Sequence, residues 1–444
     1  MHRHLFVDTL IALQEPLLAS RFDDRSAIRD AQDPGLFPSF IGDAAALPAD
    51  APRCPPRFAF ASADFLPVRD SGGRRRFHLL ELNGSGTAGI SNLPPDHQER
   101  LYCGVIEAGR EIAGEAPLVM FPFRPSIGPS PKYERALLAQ ALATGLAATR
   151  GRSRIHWVGG GDARSIPAGP VVALGQLRGL VHTDAAGPRV GERQELATFN
   201  DLFALHLRAR LGTAEGPPAI NPFFAITASK AETYRAFESF VAADDPLLAR
   251  TPHDVAADAE SLLVAVRARV TAGHGAVVKP LACGGGRGVA FFQPGTSEAD
   301  LRAALARSQA EVVWPVPIVG EPPRPAFPYA VCDLLEADTV PRFTHPLFGH
   351  RFEIRILIYR HDGRIRGFPS IAKVAPRRFS AAAPEAAMLL NNISHHGEGA
   401  EGHALPLASP ATLDALGLDV ATLENLTRRA VAFVDHVARL PSPG

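Results

Sequence analysis

Lysine is nearly missing from this 444-residue chain: four occur, at Lys132, Lys230, Lys279 and Lys373, against 42 arginines. Arginine therefore serves wherever a positive charge only has to be solvated. Each lysine invites inspection, because a compact ammonium and a planar guanidinium meet anions with different geometry. An excess of either charge is also missing. With 46 basic and 46 acidic side chains the formal net charge is zero, which excludes a nucleic-acid or anionic-membrane partner held by bulk electrostatics. The four cysteines, Cys54, Cys103, Cys283 and Cys332, contain no CxxC pair. Neither a zinc knuckle nor a disulfide framework fits them, so a reducing compartment is expected. Long apolar runs are absent too. The N-terminal stretch MHRHLFVDTLIALQEPLLAS is broken by Asp8, Gln14 and Glu15, so it reads as neither a secretory signal nor a membrane span, and a cytoplasmic location is expected.

What is present is an ordinary globular balance, 46% hydrophobic and 21% charged, on a chain long enough for two or three packed units. Short apolar runs alternate with longer amphipathic ones. PLVMFPF (117–123), RIHWVGG (154–160) and PVVALG (170–175) read as buried strands. The run beginning KYERALLAQALATGL and the stretches 194–211, 254–273 and 421–440 read as helices, the last stopping at Pro441. This alternation predicts an α/β unit with a largely parallel sheet. A Gly/Pro-containing joint, GTAEGPPAINP (212–222), separates it from the C-terminal half of the chain.

Three groups of residues carry chemistry. Val277-Val278-Lys279-Pro280 reads as a strand, and Gly284-Gly285-Gly286-Arg287-Gly288 comes after it as a flexible turn. A lysine at a strand end can reach phosphate oxygens, and a glycine turn can fold over them with free N–H groups. The lysine precedes the glycines, so this is not a P-loop; a plain glycine hairpin is the other reading. Lys230 opens a predicted helix capped by Ser229, with Glu232 as the capping-box partner. A cation in a helix's first turn is locally unfavourable unless an anion is near. Finally, the strand Phe77-His78-Leu79-Leu80 delivers Glu81 and Asn83 on one face, and Asp64 lies in the strand before it. Three hard oxygen donors suit Mg²⁺, which takes one or two carboxylates plus phosphate and water; polar residues at a strand end are the other reading.

Together, VVKP–GGGRG and the Asp…Glu-x-Asn strand pair resemble the nucleotide- and metal-binding halves of the ATP-grasp superfamily. The metal segment normally comes last in that family and here comes first. The segment LELNGSGTAGISNL and the order of motifs are similar to eukaryotic glutathione synthetases, which implies a circularly permuted α/β (α+β ATP-grasp) fold carrying an inserted α/β pre-ATP-grasp substrate domain. The implied division is 1–103 for the metal-binding strands, 104–225 for the inserted domain, 226–300 for the small subdomain with the glycine loop, and 301–444 for the large subdomain. Residues 56–67 should then run beside 352–360 in one antiparallel sheet.

Carried over by position, the resemblance implies that Lys230, Lys279 and the loop Gly284, Gly285, Gly286, Arg287 and Gly288 bind ATP phosphates. The strand 328–338 resembles the adenine hinge, with Asp333 or Glu336 nearby. Glu353 is placed at the ribose and Arg355 at the triphosphate. Lys373 and Asn392 occupy positions where a basic residue and an Asn-rich loop recur. Lys279, Arg355 and Lys373 are the implied catalytic groups, and Asp64, Glu81 and Asn83 the implied metal ligands. Cys283 departs from the pattern, standing where permuted glutathione synthetases place a carboxylate ligand. Arg124, Ser126, Ser85 and Ser91 are candidate substrate contacts, and His395 and His396 read equally well as loop residues without a role.

The implied cofactors are ATP and Mg²⁺. The implied reaction joins a small carboxylate to an amine through an acyl phosphate, releasing ADP and phosphate. A kinase acting on a small-molecule hydroxyl, and a non-catalytic ATP-binding protein, are the alternatives. Small molecules are the expected partners, with a homodimer as the assembly the resemblance implies.

Overall fold

The computed structural model describes residues 33–37, 52–84, 89–113, 118–122, 129–150, 154–158, 171–175, 182–184, 187–189, 196–199, 218–222, 226–227, 229–281, 286–312, 326–380, 386–389 and 403–440. Its first eight strands are β1 Phe60–Arg69, β2 Arg75–Asn83, β3 Leu118–Pro122, β4 Arg154–Val158, β5 Val171–Gly175, β6 His182–Asp184, β7 Gly187–Arg189 and β8 Leu196–Thr198. The others are β9 Leu248–Ala249, β10 His253–Ala256, β11 Ala276–Pro280, β12 Ala290–Phe292, β13 Tyr329–Asp333, β14 His350–His361, β15 Arg364–Arg378 and β16 His403–Pro406. The described helices are α1 Pro95–Ala113, α2 Pro129–Arg150, α3 Lys230–Phe240, α4 Ala259–Thr271, α5 Glu298–Val312, α6 Ala386–Leu389, α7 Pro410–Leu416 and α8 Val420–Arg439.

A six-stranded sheet ordered β16-β15-β14-β1-β2-β9 forms the largest layer. Its centre joins chain segments almost 300 positions apart: β1 pairs antiparallel with β14, Phe60 opposite Tyr359 through Phe65 opposite Ile354. The pairing expected between residues 56–67 and 352–360 is therefore observed over these positions. In β14, Arg351, Glu353 and Arg355 alternate with Phe352, Ile354 and Ile356, so one face carries charge and the other aliphatic and aromatic surface.

Helix α8 packs on β14 and β15. Its Leu423, Leu426, Ala430, Phe433, Val434 and Val437 are buried at the three-and-four spacing of one helical face. A large apolar side chain buried this way contributes about 1.5–3 kcal/mol. Close approach is possible because β15 carries Gly367 beneath the helix, where a Cβ would lie 2.7 Å from Val431 and 2.9 Å from Thr427.

The parallel sheet predicted between the N-terminal strands and the 212–222 joint is present, ordered β4-β5-β3-β8. Helix α1 connects it to the large sheet. It lies on β14 so closely that a Cβ at Gly104 would fall 1.9 Å from the Arg360 carbonyl, and it also packs along α2. The division expected at 103/104 falls inside this one helix. Of the stretch 194–211 expected as helix, Leu196–Thr198 is strand beside β3, and residues from 200 on lie outside the described residues.

A smaller antiparallel sheet, β10-β13-β11-β12, has its own core, in which Val266, Val278, Phe292, Leu305, Tyr329 and Val331 meet. Both α5 and β13 belong to it, so the division expected at 300/301 also falls within a helix. The segment expected as helix from 254 begins as strand β10. Its helix starts only at Ala259, where Asp258 and Ser261 form a capping box. Arg250, Thr251 and Pro252 carry the chain from β9 in the large sheet to β10 in the small one. Among the described residues no helix is long and apolar enough to cross a membrane.

Candidate functional site

The charged face of the large sheet holds a network of six side chains. Asp64 is fully buried in β1, opposite both Glu81 and Arg355. Arg355 grips it with two bonds, Nε to Oδ1 at 2.7 Å and Nη2 to Oδ2 at 2.6 Å, and Lys373 Nζ donates to Oδ2 at 2.9 Å. The same lysine pairs with Glu353, its neighbour across β14 and β15. Arg355 Nη2 also stands 3.7 Å from Glu81 Oε1, which accepts a 3.0 Å bond from Asn83 Nδ2.

Three carboxylates thus face two cations. Burial works to raise the Asp64 pKa, but Arg355 and Lys373 outweigh it and hold the carboxyl well below the ordinary range. Burial likewise opposes the charge on Lys373, and Asp64 and Glu353 outweigh it and raise that pKa. The excess falls on Glu353. Burial, reinforced by Asp64 and Glu81 against the pull of Lys373, pushes its pKa up to about 7.

The two remaining chemical lysines meet at the junction with the small sheet. Lys279 is in β11, and its Nζ donates to the hydroxyl of Tyr234 at 2.9 Å. Tyr234, on α3, donates in turn to the carbonyl of Leu80 at 2.9 Å. Leu80 immediately precedes Glu81, so one short chain of bonds links Lys279 to the strand that presents Glu81 and Asn83. Lys230 Nζ reaches the carbonyl of Pro280, the residue after Lys279, at 3.4 Å. The helix that carries Lys230 starts as expected, with Ser229 accepting from the Glu232 N–H. The Glu232 carboxylate turns away to Arg235, so the reciprocal half of the capping box is not made.

The glycine turn joins β11 to β12. Gly286 and Gly288 have φ of 73° and 63°, left-handed values that side chains rarely adopt. At Gly288 a Cβ would also lie 2.3 Å from Val312, so the turn rests directly on α5, and the Gly288 N–H donates to Glu311 at 3.0 Å. Arg287 lies between them; Gly284, Gly285 and Cys283 are outside the described residues.

Asp333 ends β13 and accepts from Arg269 Nε at 3.0 Å, turned toward α4. Glu336 is the acid that offsets Arg351, which is buried and stacked over Phe379 at 3.6 Å. Ser91 belongs to the single turn Ile90–Asn92, but its side chain, together with Ser85, Arg124, Ser126, Asn392, His395 and His396, falls outside the described residues.

Two residues at this site carry no motif. One is Tyr234. Its spacing of four from Lys230 puts both on one helix face, and the chain has only five tyrosines. The other is Glu134 of α2, which is buried and accepts the Gly89 N–H at 3.1 Å, bracing the segment after Asn83. Nothing local in the sequence signals it.

Oxygen donors suited to Mg²⁺ remain on Glu81, whose side chain is one-third exposed, and on half-buried Asn83. Both oxygens of Asp64 are taken by cations.

No protein-family model matches the chain, and no curated protein matches it. Among solved structures, a candidate gamma-glutamylcysteine synthetase from Methylobacillus flagellatus KT is similar at 18% identity, covering 87% of this chain and 88% of that one with a TM-score of 0.47. A glutathione synthetase-like effector from Globodera pallida is similar at 12% identity, 72% and 74% coverage and a TM-score of 0.37. D-alanyl-alanine synthetase A from Vibrio cholerae is similar at 11% identity, 64% and 80% coverage and a TM-score of 0.36.

Proposed function

We propose that the chain is an ATP-dependent carboxylate–amine ligase that forms an amide bond through an acyl phosphate, with a permuted ATP-grasp order of elements. The observation that carries this is the link of Lys279, through Tyr234, to the strand that bears Glu81 and Asn83, with Lys230 bonded to the residue after Lys279, across segments far apart in sequence. Cations for phosphate oxygens stand on one side, and hard oxygen donors on the other. A nucleotide triphosphate with Mg²⁺ needs both.

In this reading Lys230, Lys279 and the glycine turn, apart from the Gly288 N–H that Glu311 holds, orient the β- and γ-phosphates. Glu81 and Asn83 would hold Mg²⁺, which would supply charge neutralisation. Asp64 fixes Arg355 and Lys373 rather than binding metal itself, because its oxygens are already engaged. A substrate carboxylate oxygen attacks the γ-phosphorus, the bond to the bridging oxygen breaks, and ADP departs. An amine then attacks the acyl carbon, releases phosphate and loses a proton. Arg355 is held by Asp64 as part of the charged floor, and rate enhancement comes from positioning and fixed electrostatics, with no protein nucleophile.

The test is phosphorus NMR of the full chain with Mg-ATP and pooled amino acids. ADP with free phosphate, appearing only when a carboxylate and an amine are both present, is the expected result. A new phosphoester without free phosphate would make the protein a kinase, and AMP with pyrophosphate would overturn the acyl-phosphate route.

A further inference from the structure

We propose that Tyr234 is a positioning residue that sets the separation between the Lys279 ammonium on the small sheet and the Glu81 strand on the large one. The inference rests on the nucleotide reading above and adds a residue to it.

The geometry is a two-bond tether. Lys279 donates to the phenol oxygen, and the phenol donates to Leu80, one residue before Glu81. The tether is held stiffly. Tyr234 is fully buried, its ring meets His253 edge-on at 5.2 Å, and it packs with Ala231, Leu281 and Cys332. Its two ends lie on different sheets, with the tyrosine on the helix between them, so it fixes a distance that neither sheet determines alone.

The choice of a phenol also has chemical content. A carboxylate there would neutralise Lys279, and an aliphatic residue would leave the ammonium free to swing. A neutral hydroxyl accepts one of the three N–H groups and leaves the charge and two donors for an incoming anion. Burial pushes the Tyr234 pKa up to about 12, against the pull of Lys279, so it stays neutral at physiological pH. Among the described residues Lys279 forms no ion pair; its ammonium stands 5.4 Å from the ring of the same tyrosine, and the Glu81 carboxylate acts on it through space.

The test is a double-mutant cycle on the full chain, with Tyr234→Phe, Lys279→Met and the double variant, each titrated with MgADP and with adenosine. Tyr234→Phe keeps the ring and removes only the tether. It is expected to weaken MgADP about tenfold, the value of one hydrogen bond to a charged group, and to leave adenosine binding unchanged. In the Lys279→Met background the same change should cost nothing further. An equal loss in both backgrounds, or a parallel loss of adenosine, would make Tyr234 a merely structural residue and overturn the proposal, as would no loss at all.

A second readout needs no nucleotide. With only four lysines, reductive ¹³C-methylation gives few enough signals to assign Lys279 by its absence in Lys279→Met. Tyr234→Phe should shift that signal, and an unmoved signal would overturn the tether. Wild-type protein that fails to bind MgADP while this signal does move would overturn the nucleotide reading and leave the tether standing.

Discussion

Lys373 and Lys279 stand on different sheets, and each donates a 2.9 Å hydrogen bond to a fully buried side chain. Both feel the Glu81 carboxylate, but their contacts differ. Lys373 lies between Asp64 and Glu353, and with Arg355 it helps balance a set of carboxylates that includes Glu81. Lys279 bonds to a phenol and forms no ion pair among the described residues, although, against the effect of burial, the Glu81 carboxylate acts on it through space and helps raise its pKa. A buried cation that is already paired has little left to offer a ligand, whereas one held by a neutral group keeps its field. The large sheet is therefore a self-compensated floor, and the small sheet supplies the open positive charge. Affinity for phosphate should depend most on the small sheet and stability most on the large one.

The largest effect expected from this contrast is on the floor. Asp64→Ala strips two cations of their shared partner and leaves them buried, which should cost about 3–5 kcal/mol of stability, read as a lower urea midpoint. A loss below about 1 kcal/mol would mean that solvent reaches the network and that the contrast fails. Lys279→Met tests the other half. Its stability should change by less than about 1 kcal/mol, one ordinary hydrogen bond. MgADP affinity should fall by about 2–3 kcal/mol, the lower part of the cost of truncating a charge pair, as calorimetry would show. Equal losses of stability in the two variants would erase the distinction.

Glu353 gives an effect of similar kind but with a pH signature. Its pKa is raised from 4.5 in the unfolded reference to about 7, so the folded protein binds its proton more tightly. The stability it contributes is therefore fully present below pH 4.5 and is lost as pH rises through 7, on the order of 3–4 kcal/mol if the whole shift is expressed. Glu353→Gln, which keeps the shape of the protonated acid, should not show that loss. The difference between the two proteins should open between pH 4.5 and 8 in denaturant titrations. A constant difference across that window would place the excess proton elsewhere in the network.

The sequence made the local parts of this arrangement legible and its long-range partnerships much less so. Lys279 ahead of a glycine turn and Glu81-x-Asn83 at a strand end are visible because each is a short motif with its own chemistry. Helix α8 was readable from its apolar spacing and from Pro441 just beyond it. Strand β14 and its pairing with β1 both came from the family resemblance and not from a pattern in the residues. Tyr234 was not legible as a tether, because its two partners lie 45 and 154 positions away. The double engagement of Asp64 spans 291 and 309 positions, so the two cations bound to an acid that reads as a metal ligand could not be foreseen locally. The divisions at 103/104 and 300/301 cut through α1 and α5 for a related reason. Amphipathic spacing shows that a helix buries one face, but not which sheet it buries that face against.

The smallest effect concerns Arg351, a third buried cation on the strand that carries Glu353 and Arg355. It differs from both lysines in having neither a carboxylate in ion-pair contact nor a hydroxyl. Among the described residues its Nε is buried without a hydrogen-bond partner, and its guanidinium stacks on Phe379. Burial lowers its pKa to about 10, with Glu336 opposing, so the charged form is carried at a cost. A stacked guanidinium returns about 0.5–2 kcal/mol, while an unsatisfied buried donor forfeits about 1–3 kcal/mol. The two nearly cancel. Arg351→Met keeps the apolar contact with Phe379 and removes the charge, so it should leave stability within about 1 kcal/mol of wild type, on the stabilising side if it moves at all. A loss beyond that would show that Arg351 is compensated as Lys373 is, and the charged floor would then extend along β14 to its beginning. An unchanged protein would end the floor at Glu353 and mark Arg351 as a cation that, like Lys279, keeps its charge for something other than the fold.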